Sequence, residues 1–217
     1  MKRGDLVWLM VLCGISTLLI VPDIHEVFIS ATQAHPFPMG FIKFAVLATM
    51  GELLAIRIVS GQWKKTTGML PKAFIWGIVG VLIVLMFEVF LSGVTGAVKK
   101  GLLFVGGGVC SVVLTAFYVS AIMNLTFAPV FMAAHRMTDT YIDLRAEGQA
   151  PSWSEVIAKI DWQSFIKFVV AKTIPYFWIP AHTITFLLPP EYRVLTAAYL
   201  SIALGAILAY ARRRHVE

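Results

Sequence analysis

Residues 73–95 read AFIWGIVGVLIVLMFEVFLSGVT, a run with a single charged side chain, Glu88. A helix needs about 20 mainly apolar residues to cross a hydrocarbon core about 30 Å thick. Lipid offers no partner to an unpaired backbone amide, so such a run predicts a transmembrane helix. The neighbouring sequence is read on the same terms. Five more apolar segments follow the pattern, at 6–22, 39–60, 102–123, 164–184 and 191–211. The expected fold class is all-α: a polytopic transmembrane bundle of four to six membrane-embedded helices, forming one integral membrane domain over 1–217.

Composition points the same way. The chain is 59% hydrophobic and only 14% charged, with a mean hydropathy of +0.81, whereas a soluble domain is about a quarter charged. The net charge is +6, but the basic residues flank apolar segments. That placement argues against nucleic acid and for membrane lipid as partner. With six crossings, Lys2 and Arg3, then Arg57, Lys64, Lys65 and Lys72, then Arg212, Arg213 and Arg214 share one side. Both termini are therefore expected on the cytoplasmic or matrix face. Lys99 and Lys100 fall opposite, which leaves room for a re-entrant or half-length segment. The first segment, led by Met1-Lys2-Arg3, also fits a signal peptide, but its length favours a retained anchor. The absence of a clear transit peptide makes a bacterial inner membrane the expected site, with a mitochondrial inner or peroxisomal membrane as the alternative.

Between the apolar runs, 136–163 is the longest polar stretch. Within it, Ser152-Trp153-Ser154-Glu155 has the form of a capping box and predicts a short amphipathic helix near 152–165. Pro175 and Pro180 predict a kinked or broken helix, and Pro189-Pro190 a turn. Near Pro129, Asn124 and Thr126 are expected to serve the freed backbone groups.

Small and polar residues recur on helical faces: Ala45, Ala48, Glu52 and Ala55; Gly77, Val81, Val84 and Glu88; Gly108, Ser111, Thr115 and Tyr118; Ala197, Ser201 and Gly205. A charge at mid-bilayer is costly and usually faces a cavity or a partner. One reading is a narrow polar pathway lined by Glu52, Glu88, Ser111, Thr115 and Tyr118. The other is ordinary close packing, with Glu52 and Arg57 each paired to another helix. Lys43, Lys72, Lys167 and Lys172, near helix ends, are expected to snorkel. Cys13 and Cys110 lie in apolar runs with no CxxC or Cys/His cluster, so no metal or cofactor is expected. His182 reads as a hydrogen-bonded histidine or a proton-linked gate, and Arg193 as a holder of the last helix through a carboxylate or lipid phosphate.

Ala34-His35-Pro36, Gly51-Glu52, Gly77-Ile78-Val79-Gly80, Phe127-Ala128-Pro129, and then Trp178, His182, Thr185, Phe186, Pro190 and Arg193 follow one another in a recognisable order. Over 34–213 the chain resembles the Mpv-seventeen family of organelle membrane proteins, which includes the twenty-two-kilodalton peroxisomal membrane protein. Ile56, Val81 and Met86-Phe87 stand where that family has Gln, Pro and Trp-Tyr. Residues 1–33 are an addition to its pattern. The resemblance implies a channel-like helical protein linked to small-solute passage and organelle homeostasis.

The sequence therefore points to a small-solute or ion channel or transporter, with His182 and Arg193 at one mouth and homo-oligomers as one mode of assembly. The rival is a non-transporting scaffold or stress-response component that binds lipid or another membrane protein through its small-residue faces. An intramembrane enzyme ranks last, because the chain has no HExxH, no GxSxG and no paired carboxylates on one helix.

Overall fold

A computed structural model describes residues 2–17, 19–64 and 68–214, with side chains through Tyr210. Lys65 and the side chains of Arg212, Arg213 and Arg214 lie outside the described residues. The fold is all-helical. Its elements are α1 (Arg3–Thr17), α2 (Pro22–Ala34), α3 (Pro36–Ser60), α4 (Met69–Lys99), α5 (Val109–Ala146), α6 (Trp153–Lys159), the single turn α7 (Trp162–Ser164), a π-helical segment (Phe165–Trp178), α8 (Ile179–Leu187) and α9 (Pro190–Arg214).

Among the described residues, four helices are long and apolar enough to cross a membrane: α3, α4, α5 and Pro190–Tyr210 of α9. Only 28–39% of the most apolar window in each is buried within the bundle, so most of each helix presents side chains outward for lipid to cover. The chain is thus a multi-pass membrane protein. The π-helical segment and α8 follow one another without interruption and carry the chain from the end of α5 to the start of α9.

Close backbone approach organises the bundle. A Cβ on Gly80 would fall on the Gly40 carbonyl, and one on Gly51 would come within 3.0 Å of the Ile202 backbone. Glycine at these positions lets α4 and α9 lie directly against α3. Around the crossings Phe44, Leu47, Ala48, Val79, Ile83, Val119, Met123, Ala197 and Ala198 are buried in one core. The small-residue faces of α3, α4 and α9 are therefore used for packing inside the molecule.

Pairings along the helices fix their directions. Lys72 of α4 meets Glu52 of α3, and the same lysine meets Asp143 of α5. Gly51 lies beside Gly205, so α9 runs parallel to α3. Lys2 Nζ donates to the Gly61 carbonyl at 2.7 Å. The start of α1, the end of α3, the start of α4 and the ends of α5 and α9 consequently gather at one end of the bundle.

Several expectations shift. The segment 6–22 is interrupted: α1 ends at Thr17, and α2 leaves at about 80° to it. Both helices pack on the core, through Trp8, Leu12, Ile15 and Phe28. The segment 102–123 begins as a helix only at Val109, because Gly101, Gly106 and Gly108 hold positive φ angles of 72°, 67° and 59°. That helix then runs 38 residues, through the polar stretch as far as Ala146, where Lys72 meets Asp143. Lys43 and Lys72 do not snorkel; they are 6% and 7% exposed. Lys43 donates to Thr32 Oγ1 and lies over the Phe28 ring, while Lys72 takes carboxylate partners. Arg57 pairs with Asp5 of α1 at 2.7 Å.

The capping box forms as expected. Ser152 Oγ accepts from the Glu155 amide, and Glu155 accepts from the Ser152 amide at 2.6 Å. Those bonds from Ser152 hold the Glu155 carboxyl below its ordinary range. Pro175 lies inside the π-helical segment and Pro180 in the first turn of α8. The expected break is therefore a change of helical register. Near Pro129, Thr126 and Asn124 bond the Ile122 and Ser120 carbonyls, a turn earlier than the position the proline vacates.

Candidate functional site

A cavity of about 300 Å³, partly open to the outside, is lined by α3, α4, α5, the π-helical segment, α8 and α9. Its walls are mainly apolar and aromatic, with Phe44, Trp76, Phe127, Phe131, Phe165 and Trp178 as the largest contributors. Helix α5 supplies the longest wall. Asn124, Ala128, Phe131, His135 and Asp139 recur every three or four residues and so share one helical face. Asn124 and Asp139 stand about 22 Å apart at the usual rise of about 1.5 Å per residue, so the cavity is elongated along the bundle.

Polar groups concentrate toward its two ends. At one, the His182 ring lies 5.0 Å from Trp178, and its Nδ1 sits 3.0 Å from Asn124 Nδ2. An amide nitrogen only donates, so this bond puts the His182 proton on Nε2. Asn124 is anchored in turn on the Ser120 carbonyl. At the other end the Trp76 and His135 rings lie 4.2 Å apart. His135 Nδ1 is 3.3 Å from Asp139 Oδ2. A proton carried on Nδ1 would face that carboxylate and leave Nε2 as an acceptor.

Four polar atoms lining this cavity are buried with no hydrogen-bond partner: Trp76 Nε1, Trp178 Nε1, His135 Nε2 and Asp139 Oδ1. A buried donor or acceptor left unpaired costs about 1–3 kcal/mol. Two donors and, with the His135 proton on Nδ1, two acceptors are thus left unpaired among the residues that line one cavity.

A second cavity, of about 450 Å³, opens at the opposite end of the bundle from Lys72. Lys43, Glu88, Glu191 and Arg193 contribute its charges. Two buried rings stand between the two spaces. Phe87 lies 5.6 Å from His182 and 4.9 Å from Phe186, and Phe186 lies 5.7 Å from the Arg193 guanidinium. At the far end of the bundle, Lys72 bridges Glu52 at 3.4 Å and Asp143 at 2.7 Å, tying α3, α4 and α5 together.

The pathway expected from the sequence is assembled only in part. Trp178 and His182 line the central cavity. Glu88 and Arg193 line the second one, and Glu52 belongs to the Lys72 cluster. Ser111, Thr115 and Tyr118 line neither cavity. Thr115 bonds the Ser111 carbonyl on its own helix, and Tyr118 donates to the Phe104 carbonyl. Glu88 is exposed because its face of α4 turns outward, whereas Phe87 beside it and Val94 further along are buried in the core. Its carboxylate accepts from Ser92 at 2.8 Å. Thr185 is fully buried and bonds the Ala181 carbonyl of its own helix. Arg193 donates to the Leu188 carbonyl at 3.0 Å, so it holds the turn before α9 through backbone and not through a carboxylate. Pro129 lies beside the lining residue Ala128 without itself lining the cavity. His182 and Arg193 do not share a mouth, because Phe87 and Phe186 separate them.

Sequence reading missed Trp76, Asn124, His135, Arg136 and Asp139 as a group. The signal was the 3.6-residue period of polar residues from Asn124 to Asp139, hidden by placing the helix end near residue 123. No protein-family model, no curated protein and no solved structure matches this chain.

Proposed function

We propose that the chain is a channel-like carrier of small solutes: the solute occupies the central cavity and passes between it and the outer vestibule at Phe87 and Phe186. The observation that carries this reading is the set of four unpaired polar atoms on residues that line one cavity. A bundle shaped only for packing would fill that space or pair those atoms. The narrowing at one end also favours a carrier. Aromatic rings narrow one end, and hydrophobic constrictions of this kind block water and ions until they part. An ion cluster ties three helices together at the other.

Membership of the Mpv-seventeen family belongs to the same proposal, since Trp178 and His182 of the C-terminal resemblance both line the cavity. So does the orientation, with the lysine- and arginine-rich end of the bundle toward the cytoplasm or matrix. The scaffold reading has less to draw on at Gly77 and Gly205, which already meet partners within the chain, and keeps Gly108, which meets none.

The test is flux of ions, sugars, organic acids and amines in liposomes holding the purified protein, beside empty liposomes. Ala128→Leu with Ser201→Leu fills the cavity with apolar volume. The expected result is protein-dependent flux of at least one solute, reduced at least about tenfold by the filled variant at unchanged folding. Equal flux in the filled variant, or none in the wild type, would sink the reading.

A further inference from the structure

The chemistry of the central cavity narrows what it takes; this step rests on the cavity being the solute site. Its walls exclude a bare ion or a sugar as the preferred occupant. Phe127, Phe131, Phe165, Val79 and Ile83 offer no hydrogen bonds to replace a hydration shell. An occupant needs an apolar body to lie along α5. It also needs a polar group for the end where Trp76, His135 and Asp139 meet.

At that end the polar demand has a sign. Asp139 Oδ1 is an unpaired acceptor. His135 Nε2 is a second acceptor once Nδ1 faces the carboxylate. The charges about them are Glu52, Asp139 and Asp143 against Lys72 and Arg136. Lys72 is committed to Glu52 and Asp143, and Arg136 is exposed at the cavity edge. Among the groups that act directly on His135 and Asp139, three carboxylates thus stand against two cations, although the wider end of the bundle is basic. The faces of the Trp76 and His135 rings and nearby Phe131 add π-surface, which attracts cations, above all when they are desolvated.

We propose that the central cavity binds an amphipathic organic amine, with its protonated nitrogen donating to Asp139 Oδ1 and His135 Nε2 and its apolar body lying along the aromatic wall of α5. Such a molecule brings a positive charge, donates to both unpaired acceptors and buries its body where water has no partner.

The experiment compares three probes of matched body: 4-phenylbutylammonium, the neutral 4-phenylbutanol and the anionic 4-phenylbutyrate. Binding to purified full-length protein is read by tryptophan fluorescence, since Trp76 and Trp178 line the cavity. The expected result is that the amine binds at least about tenfold more tightly than the alcohol, as a desolvated charge pair provides. Asp139→Asn should abolish that preference while leaving alcohol binding unchanged, and Asp139→Glu should restore part of it. Equal binding of amine and alcohol to the wild type, a preference for the butyrate, or an amine preference that survives Asp139→Asn would each overturn the proposal. If the alcohol or the butyrate binds best and crosses liposomes, the cationic class falls and the carrier reading stands. If none of the three binds, the cationic class falls, and the flux panel decides the carrier reading by itself.

Discussion

Lys72 sits at 7% exposure with Glu52 at 3.4 Å and Asp143 at 2.7 Å. Removing one member of a buried ion cluster leaves the others uncompensated, at about 3–5 kcal/mol when fully buried. Asp143 is half exposed, at 49% of its side chain, and water will screen it. Lys72→Met is therefore expected to cost about 1–3 kcal/mol, read as a lower Tm in detergent. Adding Glu52→Gln and Asp143→Asn should recover a good part of the loss. A triple variant no more stable than Lys72→Met would mean that the aliphatic stem of the lysine, and not its charge, does the holding. At this scale the sequence was informative about types and silent about partners. Glu52 and Glu88 stood out as carboxylates in apolar runs, yet nothing along the chain tells that Glu52 will meet Lys72 while Glu88 faces outward. Trp76 and His135 are 59 residues apart in the chain, and only helix pairing brings their rings to 4.2 Å.

Among the elements, α3 and α4 offer a direct comparison. A side chain at Gly80 would collide with the Gly40 carbonyl, which belongs to backbone and cannot rotate away. Gly93, on the same helix, has nothing within 4 Å of where its Cβ would stand. Gly80→Val should therefore destabilise by about 1–3 kcal/mol or more, while Gly93→Val stays within about 0.5 kcal/mol. Thermal unfolding of the two variants side by side checks this, and equal melting points would remove the close crossing as an organising contact. Apolar length and proline made most elements legible beforehand, and the Ser152–Glu155 box located the start of α6 to the residue, although the helix expected to reach 165 stops at Lys159 and restarts at Trp162. Two features escaped for physical reasons. The end of α5 is polar, and its helix persists there with Asp143 held by Lys72 of α4, which is tertiary information. The π register of Phe165–Trp178 leaves the same apolar pattern as an ordinary helix of that length, although its trace is visible in Thr173, whose hydroxyl reaches back five residues to the Phe168 carbonyl.

The molecule as a whole has two spaces in series with a pair of phenylalanines between them. Phe87 and Phe186 are each 5% exposed and 4.9 Å apart. If they form the constriction, Phe87→Ala should raise solute flux several-fold in liposomes, whereas Phe74→Ala, on the exposed face of the same helix, should leave it unchanged. Unchanged flux in Phe87→Ala would place the barrier elsewhere. The sequence made the membrane bundle plain through hydropathy alone. Its two internal spaces depend on how six elements lean on one another, which no single segment records. One dimension of the bundle reaches further. Helix α5 has 38 residues, or about 57 Å at the usual rise, against a hydrocarbon slab of about 30 Å. Its surplus carries Asp139 and Asp143 toward the headgroups. How deeply those carboxylates are immersed is therefore set by the acyl-chain length of the surrounding lipid as much as by the protein. A thin bilayer leaves the acidic mouth standing in water, and a thick one draws it toward oil, so the host membrane itself becomes a determinant of how the cavity is wetted.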